Sequence, residues 1–300
     1  MTTSQLPSLI SSELLGKLEL LRMHTRRQFF GQRQGRHLSL RKGLGIEFAD
    51  YRKYELGDNP RHIDWGMYGR SDKLYVKTFK EEEDISILIV LDGSASMRTS
   101  VSGQKWERAQ SLAMSLAYVG LLGRDRVSVH IPGVLETSFV SHPSAIYQLA
   151  SQLASVEFKE DAHDSIKKDF RVSLERLRSP GLLFFLSDFL FGQETLTDLV
   201  KSVQGKNVEA SFFAVLADED LSLKDLPDDF VAEDSEFFNE VECARQRSID
   251  EEYEFLSTKH FSQISEGLHD AGIRFSMFEE KSDLSEYLFQ TLPPTGIFSV

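Results

Sequence analysis

The chain has one cysteine, Cys243, in 300 residues, so it cannot form an internal disulfide. A secreted chain of this kind would more often carry paired cysteines, and a reducing, cytoplasmic setting is expected. Long apolar runs are also lacking, since no window approaches the roughly 18 apolar residues that span a bilayer. The opening stretch, MTTSQLPSLISSELLGKL, has no charged segment followed by a long apolar one, so neither export nor membrane insertion is expected. A Gly-x-x-x-x-Gly-Lys-Ser/Thr phosphate loop, a serine nucleophile elbow and paired metal-binding histidines are missing too, which argues against the common hydrolytic chemistries. No internal repeat, low-complexity tract or flexible linker is evident.

What is present suits a globular protein. Hydrophobic residues make up 41% and charged residues 27%, enough for one large α/β domain plus a smaller element. The net charge of −13 hides an asymmetry. Residues 1–80 carry 15 Lys and Arg against 8 Asp and Glu, whereas residues 81–300 carry 19 against 39. A basic head therefore precedes an acidic body. Either the two attract and pack together, or the head meets nucleic acid through Arg22, Arg26, Arg27, Arg33, Arg36 and Arg41. The head's charges are not interleaved with stacking aromatics, which favours the first reading.

Short apolar runs alternate with helix-period segments along the body. Ile85 to Leu91 is too continuously apolar for a half-exposed strand and reads as a central one. Helical spacing follows from Trp106 to Val119, then strands at 126–131 and 136–140, helices at 144–154 and 165–177, and a buried-type strand at 182–186. Beyond lie a helix near 195–203, a strand at 210–216, a long helix near 249–271 and a strand at 273–278. The acidic stretch Asp218 to Glu242 reads as an inserted loop with a hairpin, and the acidic run 81–84 as a solvated strand entry. Such alternation predicts a doubly wound, mainly parallel sheet covered on both faces, with the basic N-terminal extension packed on it. The expected domains are 1–80, 84–292 and a tail at 293–300.

The first central strand ends in Asp92-Gly93-Ser94-Ala95-Ser96, and the second apolar strand ends in Ser187-Asp188. Ligands of open α/β sheets bind beyond the carboxyl ends of the strands, where both acids must lie. Two carboxylates and two hydroxyls offer hard oxygens of the kind that Mg2+, or Mn2+ or Ca2+, takes up. Taken singly, Asp-Gly is a turn and Asp188 a helix cap; together they could meet over one ion. No counter-charge for the two acids is obvious in sequence.

The Asp-x-Ser-x-Ser spacing after a buried strand resembles the metal-ion-dependent adhesion motif of von Willebrand factor A-like domains, over roughly residues 84–292. The resemblance implies a metal held by Asp92, Ser94, Ser96 and Asp188. It also implies a threonine from a further loop, where this chain has His163 instead; Asp161 or Asp164 would stand in as an outer acid, and the affinity would be modest. A second block, Gly43 to Phe79, resembles the signature of the bacterial "domain of unknown function 58" family, which precedes an A-like domain. The match runs over Gly43, Gly45, Glu47, Phe48, Arg52, Tyr54, Gly57, Asp58, Pro60, Arg61, Ile63, Asp64, Trp65, Arg70, Leu74, Tyr75, Val76 and Lys77. Physically, Arg61 with Asp58 or Asp64 is expected to hold the turn at 57–60 against Trp65, and these residues to staple the head to the domain. Gly66-Met67-Tyr68-Gly69 departs from the usual pattern after the tryptophan.

That resemblance implies a partner, a MoxR-type AAA ATPase, and an adaptor or chaperone-like role toward a client protein. Metal-dependent protein binding is the leading expectation, without catalysis. The alternatives are a magnesium-dependent phosphoryl-transfer or hydrolytic enzyme and a nucleic-acid-binding head. Haloacid-dehalogenase-type phosphatases place a second Asp two residues after the first, and here that position is Ser94.

Overall fold

The computed structural model describes residues 9–23, 47–55, 58, 60–80, 85–158, 166–178, 181–206, 208–224, 226–227, 229–233, 240–244 and 247–299. They form two compact units, one within residues 28–83 and the other built from the rest of the chain. The chain opens in the larger unit with α1 (Ser12–Leu18) and β1 (Arg22–Met23). The Ser11 hydroxyl caps α1 by accepting from the Leu14 amide at 3.1 Å. Leu14 and Leu18, one turn apart, join the core.

The smaller unit is a hairpin with a helix inserted. β2 (Glu47–Lys53) runs antiparallel to β3 (Tyr75–Lys80), and α2 (Trp65–Ser71) lies between them in sequence. Asp64 starts α2: its Oδ1 accepts from the Met67 amide and its Oδ2 from the Tyr51 hydroxyl, both at 3.0 Å. Asp58 is held by Arg52, whose Nη2 lies 2.7 Å from its Oδ1. Arg52 sits on the strand that leads into the turn, so it reaches Asp58 directly. Trp65 is 63% exposed and stands edge-on to Tyr68 instead of closing the turn. Glu47 opens β2, whereas Gly43, Gly45 and Gly57 lie outside the described residues.

The larger unit continues with β4 (Ser86–Leu91), α3 (Ala95–Arg98), α4 (Lys105–Leu122), β5 (Arg126–Ile131), β6 (Leu135–Glu136), α5 (Ile146–Ala154), α6 (Ile166–Arg176), β7 (Gly181–Ser187) and α7 (Gln193–Gln204). Next come β8 (Val208–Leu216), α8 (Asp218–Leu221), β9 (Asp229–Glu233), β10 (Glu240–Ala244), α9 (Arg247–Asp270), β11 (Arg274–Glu279), α10 (Leu284–Glu286) and β12 (Phe298–Ser299). Six strands form one sheet in the order β11-β8-β7-β4-β5-β6, parallel except for β6. This is the mainly parallel α/β sheet expected, and the hairpin of the acidic insertion is β9 with β10. That insertion opens with α8, not with loop.

Period-two alternation sorts the central strand between two cores. Ile87, Ile89 and Leu91 join α1, α4 and α5 on one face, while Leu88 and Val90 join α6, α7 and α9 on the other. Because both faces are covered, every residue of β4 is buried. α4 crosses β4 closely at Gly120, where a Cβ would stand 2.6 Å from Ile87 Cδ1. The second core is built on phenylalanine: Phe185 meets Phe170, Phe189 and Phe212 edge-on, with ring centroids 5.1–5.7 Å apart.

Both ends of the unit extend past the 84–292 span read from sequence. Leu9 to Leu21 and Ile297 with Phe298 enter the first core, and β1 pairs with β12. The first part of the N-terminal extension thus packs on the α/β unit; of the six arginines expected to meet nucleic acid, Arg22 lies among the described residues and Arg26, Arg27, Arg33, Arg36 and Arg41 lie outside them. Among the described residues, no helix is long and apolar enough to cross a membrane.

Candidate metal centre

The strand order places the two motif acids together. From β4 the chain moves to β5 on one side, whereas β7, β8 and β11 build outward on the other, so the winding reverses between β4 and β7. A reversal leaves a crevice beyond the carboxyl ends of the two strands it separates, because their connections leave in opposite directions. Asp92 and Asp188 are the residues that follow these two strands.

The Asp92 backbone amide donates to Leu186 O at 2.8 Å, completing the pairing of the two strand ends. Its carboxylate is held at both oxygens: Oδ1 accepts from the Ser94 amide at 2.9 Å and Oδ2 from the Ser187 hydroxyl at 2.7 Å. The short Asx turn brings the Ser94 and Ser96 hydroxyls to 3.2 Å from one another, both half-buried. Gly93 is required in that turn, since a Cβ there would stand 2.7 Å from Ile131 Cγ2 and 3.0 Å from the Phe158 ring. Arg98 borders the loop, donating to Ser94 O and lying 4.4 Å over Phe158.

On the second strand, Asp188 Oδ1 accepts from the Leu190 amide at 3.2 Å. The intervening Phe189 has φ +58°, a left-handed conformation costly for a side chain of this size, on the order of 1–3 kcal/mol. Its burial among Phe185, Phe191, Phe212 and Phe275 holds it there.

Sequence reasoning found no counter-charge, and the structure supplies one. Lys105, the first residue of α4, is 1% exposed. Its Nζ lies 2.9 Å from Asp188 Oδ2, 2.8 Å from Asp220 Oδ2 and 3.2 Å from Ser96 O. Asp220 belongs to α8 and also accepts from the Ala217 amide at 2.8 Å. Burial penalises the Lys105 ammonium, but Asp188 and Asp220 outweigh it and raise its pKa. Burial likewise raises Asp220 against the opposing pull of Lys105. Asp92 has no such cation: burial first, then the Asp188 charge, pushes its carboxyl up to about 6, against the bonds from Ser187 and Ser94.

The donors suit a hard divalent ion. All four side chains offer oxygen, and an octahedral shell with bonds of about 2.1 Å has neighbouring oxygens about 3.0 Å apart. The separation of the two hydroxyls, 3.2 Å, matches such an edge. Lys105 balances one of the two buried carboxylates it touches, Asp188 and Asp220, and the buried Asp92 adds a third acid beside Asp188, a formal surplus of two negative charges. Among the described residues no three His, Cys, Asp or Glu converge as a metal-binding group, so a metal held here would draw on the serine hydroxyls as well as the acids. Asp161, His163 and Asp164 lie outside the described residues.

Lys105, Ser187 and Asp220 escaped sequence reading. A lysine at the head of a helix that is mainly apolar beyond its first two turns is the one signal that pointed inward.

A family model described as "Protein of unknown function DUF58" matches residues 50–261. The uncharacterized proteins Mb1516 of Mycobacterium bovis and Rv1480 of Mycobacterium tuberculosis are each 22% identical over 265 residues, spanning 87% of this chain and 83% of theirs. Among solved structures, the conserved hypothetical protein BatB of Bacteroides thetaiotaomicron is 11% identical with a TM-score of 0.40, covering 70% of this chain and 98% of that one. An aerotolerance-related membrane protein of Bacteroides fragilis is 13% identical with the same TM-score, covering 71% and 98%.

Proposed function

We propose, from the premise that this chain belongs to the family described as protein of unknown function DUF58, that it is a metal-ion-dependent adaptor that binds a protein partner. The observation that carries this reading is the convergence of Asp92, Ser94, Ser96 and Asp188 at the switch point of the sheet, with a buried charge surplus of two. Asp92 and Asp188 would hold Mg2+, or Mn2+ or Ca2+, with the two serines as neutral donors, in the manner of von Willebrand factor A-like domains. The ion supplies a Lewis-acidic position for a carboxylate of the partner. Exposed apolar side chains in loops at the same strand ends, Val101 and Leu190, give such a partner something to bury.

A binding role fits better than catalysis because, among the described residues, the hydroxyl that donates to the Asp92 carboxylate, that of Ser187, is fully buried and closed to a substrate. Asp92 has both oxygens engaged within the chain, and the Lys105 ammonium is fully occupied by its three acceptors. A MoxR-type AAA ATPase, with a client protein, is the partner class we assign, working in the cytoplasm.

Affinity capture from native extract tests the reading, using the wild-type chain with and without chelator and the Asp92→Ala variant. The expected result is an AAA ATPase retained by the wild type and lost both on chelation and in the variant. Equal recovery in all three arms overturns metal-dependent binding.

A further inference from the structure

Lys105 remains unexplained by the donor set. An ammonium inside a protein gives up hydration worth several kcal/mol, and it is tolerated only when each of its three N–H donors finds an acceptor. Here each does, at Asp188, Asp220 and the Ser96 carbonyl. The three acceptors come from three separate segments, those following β7, β8 and β4. Two of these segments carry the candidate metal ligands. A fold that needed only to fill this space could have used an apolar side chain, as at the neighbouring buried positions Ala109 and Leu112 of the same helix.

We infer that Lys105 is the resident cation of this centre, holding Asp188 and the three segments in place without a divalent ion and setting how tightly that ion binds. This rests on the metal reading of Asp92 and Asp188 given above. An ion entering beside Asp92, Ser94 and Ser96 must share Asp188 with the ammonium, and the two cations repel. Asp220 acts in the opposite sense. It is bound to Lys105 but lies outside the donor set, so it retains the ammonium when Asp188 turns to the ion. Lys105 and Asp220 therefore tune one affinity in opposite directions, whereas a plain packing role would leave it unchanged.

Calorimetric titration of the full chain with Mn2+, at fixed pH and ionic strength, reads the effect. Lys105→Met, which keeps the stem volume, is expected to lower Kd for Mn2+ by about tenfold or more, and Asp220→Asn to raise it by about tenfold. Asp92→Ala should show no binding in any background. Should Lys105→Met leave too many uncompensated acids to fold, the Lys105→Met/Asp220→Asn chain removes one acid with the ammonium and is compared with Asp220→Asn alone; tighter binding by the double variant is expected. Wild-type binding with unchanged or weaker affinity on loss of Lys105 overturns the inference and leaves the metal reading intact. Binding by the lysine variants but not by the wild type sinks metal dependence of the natural chain and upholds the role of Lys105. No binding by any folded variant overturns both.

Discussion

Asp92 is the most heavily penalised acid of the centre, and replacing it with asparagine isolates the cost of its charge. Its carboxyl moves from an ordinary 3.8 to about 6, because burial and the neighbouring Asp188 disfavour ionisation more than the Ser187 and Ser94 bonds favour it. Each unit of pKa corresponds to about 1.36 kcal/mol, so the ionised form costs the metal-free fold on the order of 3 kcal/mol. The folded state holds its proton to higher pH than the unfolded state does. Stability from this group is therefore full below about pH 4, falls as pH rises toward 6, and stays low above it.

Asparagine keeps the shape and carries no charge. Its oxygen can still accept from the Ser94 amide, and its NH2 group replaces the Ser187 hydroxyl bond with one of reversed direction. In urea unfolding with chelator present, Asp92→Asn is expected to exceed the wild type by about 2–3 kcal/mol at pH 7.5 and to match it near pH 4. Comparing two chains at one pH cancels the titrating groups that do not interact with Asp92. Added Mn2+ should then raise the wild type alone, by an amount set by its concentration over Kd. A variant less stable than the wild type at both pH values would refute the reasoning, because the Asp92 charge would then be a net stabiliser.

Two further outcomes test the scaffold. Leu88, fully buried in the central strand, should cost about 2–5 kcal/mol when changed to alanine, and an unchanged thermal midpoint would remove β4 from the centre of the sheet. His130 is buried, its Nε2 is 3.0 Å from the Ser128 hydroxyl, and burial lowers its pKa, so its contribution is full above pH 6.5 and is lost as pH falls below that value. His130→Gln should flatten the wild-type decline in stability between pH 6.5 and 5, and an undiminished slope would show that another group causes it.

The parts of this molecule that were legible in sequence are those fixed by local pattern. β4 could be read because a strand covered on both faces must be apolar at every position, and Asp92 and Asp188 stood out because each interrupts such a run at its end. The topology followed from strands alternating with helices, since parallel neighbours need a crossover. What could not be read depends on contacts between distant segments. Lys105 meets Asp188 across 83 positions, and a lysine at a helix start is ordinarily exposed. Asp58 could pair with any nearby arginine, and only the strand register shows that Arg52 is the one placed to reach it. The two-residue strands β1 and β12 are too short to leave a pattern, although their neighbours Leu21 and Ile297 are core residues.

The two cations of the proposed centre answer different needs. Lys105 balances the Asp188 and Asp220 side, where three segments converge and the left-handed Phe189 must be kept in place. That task is structural and permanent, and a lysine performs it without depending on ion supply. The surplus that remains lies on the Asp92 side, in a loop whose hydroxyls are half-buried and reachable. A divalent ion placed there would change the charge presented to a partner by two units, and its two hydroxyl donors already stand 3.2 Å apart. Such an ion would act on folding as well as on partner binding, because an ion held only by the folded chain stabilises it. Chelation should therefore release the partner and lower the thermal midpoint together, the fall being set by the free ion concentration over Kd, and release without any fall would show that the partner is held through another surface.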